Sequence, residues 1–470
     1  MHVEELHLKN FRCFKELDIK FPASNLAVFI GSNGSGKTAI LDAIAIGLND
    51  FITRKVYGCR VDSPIGNPPF RNGGVAFGMT VCYRETALYD PILVKIQLIK
   101  AMSKLISKLT IKGYKSIQNL ENFKLSNLNI LLGANGAGKS NFISVFKLLA
   151  DMYEQNLQLH VQKNGGADGL LHYGRKKTPK MDMGFYFQDN GYEFSLIPTK
   201  DNRLIFEKEE LCYLGGDYAP HSGQPMFPSS TVIKSAHSEA ILKDSDHKYA
   251  QYIKPAIKSW RAYHFHDTSD TALVKQIHAT NDNLRLKTDA ANLAEFLLRL
   301  KIKFPQNYEQ IVKTIRLVAP FFHDFVLRDD EPNIQLEWLE KGDLDTPFKA
   351  HVLSDGTLRF ICLATLLLQP FELMNDTILI DEPELGLHPY ALAVLADLIK
   401  RAAEKKQLII STQSVELINH FSANDIIVVD RVNDASTFKR LDEEHLKDWL
   451  EDYTLGDLWK QNIIGGRPSR

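Results

Sequence analysis

The segment GANGAGKS at residues 133–140 restricts the fold of this chain more than any other feature. The residues before it, Asn129 to Leu132, predict a strand, and the residues after it predict a helix. In a strand-loop-helix unit of this kind, small residues let backbone N–H groups close around a phosphate, and the helix N-terminus adds a favourable dipole. The segment therefore predicts a phosphate-binding loop, and an ordinary glycine turn is the alternative.

This loop supplies most of the candidate ligands for a nucleotide. Lys139 is expected to reach the β- and γ-phosphates, and the hydroxyl of Ser140 is expected to bind Mg²⁺. The cofactors that the loop predicts are therefore ATP and Mg²⁺. The predicted nucleotide ligands of the loop are Gly133, Asn135, Gly136, Ala137, Gly138, Lys139 and Ser140.

A second motif, TILIDEP at residues 377–383, is an apolar run that ends in two adjacent carboxylates. The run suits a central parallel strand. Consecutive strand residues point to opposite faces, so the two acids are predicted to act differently. Asp381 is expected to hold Mg²⁺, and Glu382 is expected to polarise the attacking water as general base. A solvated turn is the alternative for this pair.

Between these motifs, the segment LSDGTLRF at residues 353–360 opens an apolar helix. A helix start offers N–H groups and a hydroxyl to an anion, although helix capping alone also explains Ser354. SDGT followed by an apolar helix resembles the ABC signature motif. The run DEPELGLHP at residues 381–389 resembles the Walker B and D-loop run of RecF-like and OLD-like ATPases. Residues 102–470 thus resemble ABC-type ATPases of the RecF, SMC and OLD-like phage-defence group.

The resemblance implies a homodimer in which two heads meet head to tail around two ATP molecules. Ser354 and Gly356 would then act on the nucleotide held by the partner. Gln413, in STQS, stands where related proteins usually carry histidine, and we expect it to take a catalytic position. Glutamine can hydrogen-bond a phosphate oxygen but cannot take up a proton, which predicts slow turnover. Gln188 is expected to act as the Q-loop glutamine, with an edge-strand polar residue as the alternative.

The loop has a near copy at the front of the chain. The segment GSNGSGKT at residues 31–38 also follows a strand-turn-strand pattern and an apolar run. Its predicted nucleotide ligands are Gly36, Lys37 and Thr38. No Asp-Glu strand follows within residues 39–101, so we interpret the first copy as a truncated ATPase front that binds without hydrolysis or is vestigial.

These features predict an α/β fold, a P-loop NTPase of ABC-ATPase type. We expect a mostly parallel sheet, an antiparallel flank from the N-terminal strands, and a helical arm or signature lobe. We expect four divisions: a truncated N-terminal half over residues 1–101, a core lobe with the loop over 102–190, an inserted arm over 191–345, and a segment with the signature, Walker B and switch residues over 346–470.

Composition excludes some classes of function. Lys plus Arg is 56 and Asp plus Glu is 57, so no overall basic charge indicates nucleic acid, and any basic groove would be local. The five cysteines lack paired spacing, and the N-terminus lacks a signal peptide. We therefore expect a cytoplasmic protein with no membrane partner.

His264 and His266 have the spacing of a metal pair, but no third ligand of suitable spacing lies near them in the sequence, so we do not assign them a metal.

Two functions remain open from the sequence. The first is an ATP-driven dimerising switch in DNA transactions such as repair or phage defence, with DNA or an effector as its partner. The second is a slow-turnover nucleotide sensor that regulates a partner toxin or nuclease, a function that Gln413 favours.

Overall fold

The computed structural model of this chain has two compact units, Met1–Met102 and Ser103–Arg470. The residues that it describes are 2–11, 14–20, 76–83, 92–99, 105–188, 190–213, 229–247 and 249–466.

The first unit contains an antiparallel sheet with the strand order β2-β1-β4-β3. Its strands are β1 (His2–Phe11), β2 (Phe14–Lys20), β3 (Ala76–Tyr83) and β4 (Ile92–Ile99). The first two pair as a hairpin, which confirms the strand-turn-strand prediction for the start of the chain. The candidate ligands Gly36, Lys37 and Thr38 lie outside the described residues, so their role stays a prediction.

The second unit is built on a six-stranded sheet with the order β12-β18-β19-β7-β20-β21. All neighbouring strands are parallel except β20 and β21. Every residue of β7 and β19 is buried, as expected for parallel strands covered on both faces. The strands are β7 (Leu128–Leu132), β12 (Arg261–Tyr263), β18 (Thr377–Asp381), β19 (Gln407–Thr412), β20 (Ile426–Val432) and β21 (Ala435–Arg440).

Alternating side chains of this sheet enter two separate cores. Ile130, Ile380 and Ile410 belong to one core, whereas Leu131 and Leu379 belong to the other. The period of two in strand geometry separates neighbouring residues in this way. The sheet is therefore the middle layer of the unit.

Helices cover both faces of the middle layer. The helices α5 to α8 pack into the first core, and α1, α2 and α4 into the second. The helices are α1 (Lys139–Tyr153), α2 (Leu157–Lys163), α3 (Gly166–Leu170), α4 (Ala250–Ser259), α5 (Leu293–Lys303), α6 (Pro305–Val318), α7 (Asp355–Leu368), α8 (Pro389–Ala403), α9 (Val415–Ile418), α10 (Glu443–Leu450) and α11 (Leu455–Lys460).

An antiparallel sheet with the order β11-β10-β9-β8-β5-β6 lies on the side of the second core. It confirms the expected antiparallel flank, and with the parallel sheet it confirms the α/β fold of the ABC-ATPase type. Its strands are β5 (Lys108–Tyr114), β6 (Ile117–Lys124), β8 (Met181–Phe187), β9 (Asn190–Pro198), β10 (Leu204–Tyr213) and β11 (Ser229–Lys234).

The segment 191–345, expected as an inserted arm, contributes strands to several sheets. It supplies most of β9 and all of β10 and β11 to the flank, and β12 to the parallel sheet. It also carries the pair β13-β15, and the strands β14 and β16 of a three-stranded sheet that β17 completes in the order β14-β16-β17. These strands are β13 (His278–Ala279), β14 (Phe322–Val326), β15 (Asn333–Ile334), β16 (Glu337–Glu340) and β17 (Asp343–Lys349).

Candidate nucleotide-binding site

The carboxyl ends of three neighbouring parallel strands bring the main motifs together. Asp381 at the end of β18 is paired in register with Ser411 of β19, and Thr412 is paired with Leu132 of β7. Ligands of open α/β sheets bind at the carboxyl ends of the strands. The glycine loop and the acidic pair therefore lie at the same edge of the sheet.

Lys139 is the first residue of α1 and is only 5% exposed. Its Nζ donates to the carbonyl oxygens of Gly133 at 2.6 Å and Ala134 at 3.0 Å. Burial lowers the pKa of Lys139, while the nearby charges of Glu382 and Asp381 act in the opposite direction. The ammonium group is thus held inside the loop, and the predicted catalytic carboxylates are near enough for their charges to act on it.

Ser436 of β21 contacts the loop at Ala137 and Gly138. Gly138 has φ +116°, and a Cβ there would lie 2.0 Å from Ser436 Oγ. That hydroxyl donates to the carbonyl oxygen of Ala137 at 2.6 Å and is 2.7 Å from Ser116 Oγ. Only glycine fits at position 138, because its left-handed conformation and the close hydroxyl both exclude a side chain.

Two histidines lie against Asp381, and the sequence interpretation did not connect them with it. Ser411 Oγ donates to Asp381 Oδ1. His264 Nδ1 is 3.7 Å from Asp381 Oδ2, and His266 Nε2 donates to the backbone carbonyl oxygen of Asp381 at 3.0 Å. The segment after β12 therefore borders the predicted magnesium carboxylate. The parallel pairing of Tyr263 with Ile380 is the structural signal that aligns them.

The backbone of Glu382 differs from the strand geometry that we expected. β18 ends at Asp381, and Glu382 has φ +44°, a left-handed conformation that is uncommon outside glycine. The direction of its side chain is therefore set by a turn and not by strand alternation, which corrects the reason given for the different roles of the two acids. Such local strain occurs preferentially at functional sites.

A third carboxylate, Glu384, fixes the backbone beside Gln413. Glu384 is 8% exposed, and its Oε1 accepts a hydrogen bond from the Gln413 amide at 3.0 Å. Burial raises the pKa of Glu384, and the bond from Gln413 opposes that shift. Because this carboxylate accepts a hydrogen bond from the predicted switch residue Gln413, it belongs to the candidate site, although the sequence did not indicate it.

The two predicted signature residues, Ser354 and Gly356, lie at the start of α7. Ser354 caps this helix: its Oγ accepts from the Thr357 amide at 3.2 Å. The capping alternative is therefore present in the structure. Gly356 packs on the loop after Glu382, since a Cβ at position 356 would lie 2.2 Å from the Gly386 carbonyl oxygen. Action of these two residues on a partner's nucleotide stays a prediction.

Arg359 connects the signature helix with the surroundings of Asp381. Its guanidinium donates to four acceptors from two other segments. These acceptors are the carbonyl oxygens of Phe265 (3.2 Å), Leu385 (3.0 Å) and His266 (2.9 Å) and the hydroxyl of Thr268 (3.3 Å). The five donors of a planar guanidinium suit such a junction.

We expect Arg359→Lys to lower the free energy of unfolding by about 2 kcal/mol, because one ammonium group cannot reach acceptors arranged around a planar fork. Urea unfolding of the variant against wild type measures this difference. Arg401→Lys is the matched control, since exposed Arg401 makes a single bond of 3.2 Å to Gln310. Equal losses for both variants would contradict the proposed junction.

Gln188 lies away from the predicted nucleotide site. It occupies the turn between β8 and β9, with φ +55°, and its amide donates to Ser107 Oγ at 3.1 Å. The neighbouring Ile106 amide donates to Gln407 at the start of β19. Gln188 is thus near the amino end of the parallel strands, opposite the loop. The prediction that Gln188 contacts the nucleotide as the Q-loop glutamine is therefore wrong. The apolar strand β8 before Gln188 turns back into β9 as a hairpin, and this turn lies far from the glycine loop.

A known protein family matches the part of the chain that contains the glycine loop and the acidic pair. A family model described as "AAA domain, putative AbiEii toxin, Type IV TA system" matches residues 128–419. The chain belongs to this AAA-domain family. A further model described as "AAA domain" matches residues 5–82. Together with the fold, the matches identify the chain as an ABC-type ATPase of the group that includes RecF and SMC proteins.

Individual relatives are distant or match over short segments. The Septu protein PtuA of Bacillus thuringiensis is 22% identical over 350 residues, 71% of this chain and 78% of that protein. The DNA replication and repair protein RecF of Halalkalibacterium halodurans is 50% identical over 44 residues, 9% of this chain and 12% of RecF. A crystal structure of an Smc head bound to the C-winged helix domain of ScpA has a TM-score of 0.49 at 16% identity, covering 73% of this chain and 99% of that one.

Neither a metal-ligand cluster nor a membrane-spanning helix occurs among the residues that the structure describes. Among them, no three or more His, Cys, Asp or Glu side chains are grouped so as to hold a metal ion. Across the same ranges, no helix has both the length and the apolar character needed to cross a bilayer.

Proposed function

We propose that this ATPase-family protein binds ATP with Mg²⁺ and hydrolyses it to ADP and phosphate. The main support for this proposal is that Lys139 lies near Asp381 and Glu382 at one edge of the parallel sheet. Phosphoryl transfer depends mainly on positioning and charge stabilisation, and a buried cation beside two carboxylates supplies both.

Each of these residues has a separate role in the proposed reaction. The buried Lys139 ammonium leaves the carbonyl oxygens of the loop and binds the β- and γ-phosphates. Backbone N–H groups of residues 135–140 surround the same phosphates. Glu382 orients the attacking water and accepts its proton. Gln413 donates a hydrogen bond to a phosphate oxygen, and Glu384 holds its backbone in place.

The donor set suits Mg²⁺, which prefers oxygen ligands in octahedral geometry and keeps several waters. The Asp381 carboxylate and the exposed Ser140 hydroxyl at the first turn of α1 would hold it. The ion, when bound, neutralises the charge that develops on the phosphate oxygens. Ser411 fixes the orientation of Asp381 through its hydrogen bond.

We further propose that ATP closes two copies head to tail and that hydrolysis reopens them. Ser354 and Gly356 of one copy would then cover the nucleotide of the other, as in the ATPases that this chain resembles. The switch would serve a DNA transaction such as repair or phage defence, acting on DNA or on an effector nuclease or toxin. The short match with a DNA replication and repair protein supports this assignment.

A second candidate function is a slow nucleotide sensor that regulates a partner toxin or nuclease. Gln413 favours it, because glutamine cannot take up the proton that a histidine would accept at this position. The description of the matching family names an AbiEii toxin and a type IV TA system, which supports a role within a system of this kind.

Steady-state phosphate release with and without DNA distinguishes the two functions. The switch predicts measurable turnover that DNA stimulates. The sensor predicts turnover near zero under every condition while ATP still binds. Failure of the wild-type protein to bind ATP would refute both.

We expect removal of residues 1–101 to leave ATP hydrolysis largely intact, because the full set of proposed catalytic residues lies in the second unit. The measurement is phosphate release by the shortened chain against the full chain at saturating ATP. A loss greater than about tenfold would mean that the first unit takes part in catalysis.

A further inference from the structure

The turn Gly465-Gly466 touches the phosphate loop from the side of β20. The carbonyl oxygen of Gly466 accepts a hydrogen bond from the Ala134 amide at 3.0 Å. The amide of Gly466 donates to Asp430 Oδ2 at 3.3 Å. A chain of two hydrogen bonds therefore links β20, the glycine turn and the loop.

The bond from Ala134 involves the peptide unit on which Lys139 rests. The N–H of Ala134 and the C=O of Gly133 belong to the same peptide group. That C=O accepts from Lys139 Nζ at 2.6 Å, while the N–H donates to Gly466. Because a peptide group is planar, fixing its N–H also fixes the direction of its carbonyl oxygen. Gly466 thus determines the orientation of the group that holds the lysine.

The geometry of the turn admits glycine alone at its second position. Gly466 has φ +81°, and a Cβ there would lie 2.8 Å from Val428 Cγ1 and 3.3 Å from Trp459 Nε1. The two residues before the turn are also held in place. Ile464 is buried, and the Ile463 amide donates to the Leu458 carbonyl oxygen at 2.9 Å. The turn is therefore anchored on α11 and β20 independently of the loop.

We propose that the Gly465-Gly466 turn is a positioning element of the nucleotide site. It holds the Gly133–Ala134 peptide so that the remaining loop N–H groups are arranged before the phosphates arrive. A site arranged in advance loses less conformational freedom on binding, which raises affinity. The inference rests on the proposed function, because it assumes that the loop binds ATP.

Two variants disturb this link at different points. Gly466→Ala places a side chain against Val428 at a left-handed position, and we expect the Kd for ATP to rise about tenfold. Asp430→Ala removes the acceptor of the Gly466 amide without altering the turn, and we expect a rise of about threefold. Asp430→Asn keeps an acceptor oxygen and should restore wild-type affinity. Gly342→Ala is the matched control, because a Cβ at that exposed glycine meets nothing within 4 Å.

Binding is measured with a fluorescent, non-hydrolysable ATP analogue, alongside the melting temperature of each nucleotide-free variant. We expect weaker binding and a higher KM, with kcat at saturating ATP within about twofold of wild type. Wild-type affinity in both Gly466→Ala and Asp430→Ala would overturn the inference while leaving the proposed function intact. If Gly466→Ala does not fold, the comparison of Asp430→Ala with Asp430→Asn decides it. No binding by the wild-type chain would instead refute the proposed function.

Discussion

Replacing Glu382 with glutamine is expected to reduce phosphate release at saturating ATP by about a thousandfold. The amide has nearly the same shape as the carboxylate, but it cannot accept the proton of the attacking water. Nucleotide affinity should remain near that of wild type, since Lys139 and the loop amides are unchanged. Single-turnover phosphate release and the Kd for ATP measure the two effects separately.

Glu372→Gln is the matched control for this substitution, because Glu372 is an exposed glutamate outside the candidate site. It should leave turnover within about twofold of wild type. Turnover by Glu382→Gln equal to that of the control would remove Glu382 as the general base. Loss of ATP binding would assign it a role in holding the nucleotide instead.

Mixing two inactive variants is expected to restore about a quarter of wild-type turnover if the sites are shared between two copies. Lys139→Ala removes the proposed phosphate ligand, and Ser354→Arg blocks the predicted signature surface. Each variant alone should retain about 1% of activity or less. In a mixed dimer, one composite site combines an intact Lys139 with an intact Ser354, whereas the other carries both lesions. Half of the dimers are mixed, which gives the expected quarter.

The control for the mixture pairs Lys139→Ala with Glu382→Gln. Both lesions lie on the same side of a composite site, so every site in their mixed dimer carries one of them, and no activity should return. Recovery in the first mixture but not in the second supports the head-to-tail arrangement. No recovery in either, with each protein folded and the Lys139→Ala and Ser354→Arg mixture dimeric in ATP by light scattering, contradicts action of Ser354 in trans.

The phosphate loop and the acidic pair could be predicted because their chemistry lies in contiguous residues. A glycine loop between a strand and a helix brings Lys139 to its place within one supersecondary unit, whatever the rest of the chain does. The apolar run before Asp381 predicts a buried strand in the same local way. Both predictions required only backbone geometry over about ten residues.

The surroundings of Asp381 could not be predicted in that way. His266 and Asp381 are 115 residues apart, and only the parallel register of the three-residue strand β12 brings them together. The four acceptors of Arg359 likewise belong to segments that are distant in the sequence. The hairpin that removes Gln188 from the site depends on pairing between β8 and β9.

Short motifs with local geometry were enough to predict the class of chemistry, because the phosphate loop, its lysine and hydroxyl, and the two carboxylates each lie within a few consecutive residues. The groups that surround these residues became visible only in the folded chain; they include the histidines at Asp381, the guanidinium of Arg359 and the glycine turn that contacts Ala134. Such contacts depend on strand register and on packing between distant segments, whereas a motif depends on neighbouring backbone angles.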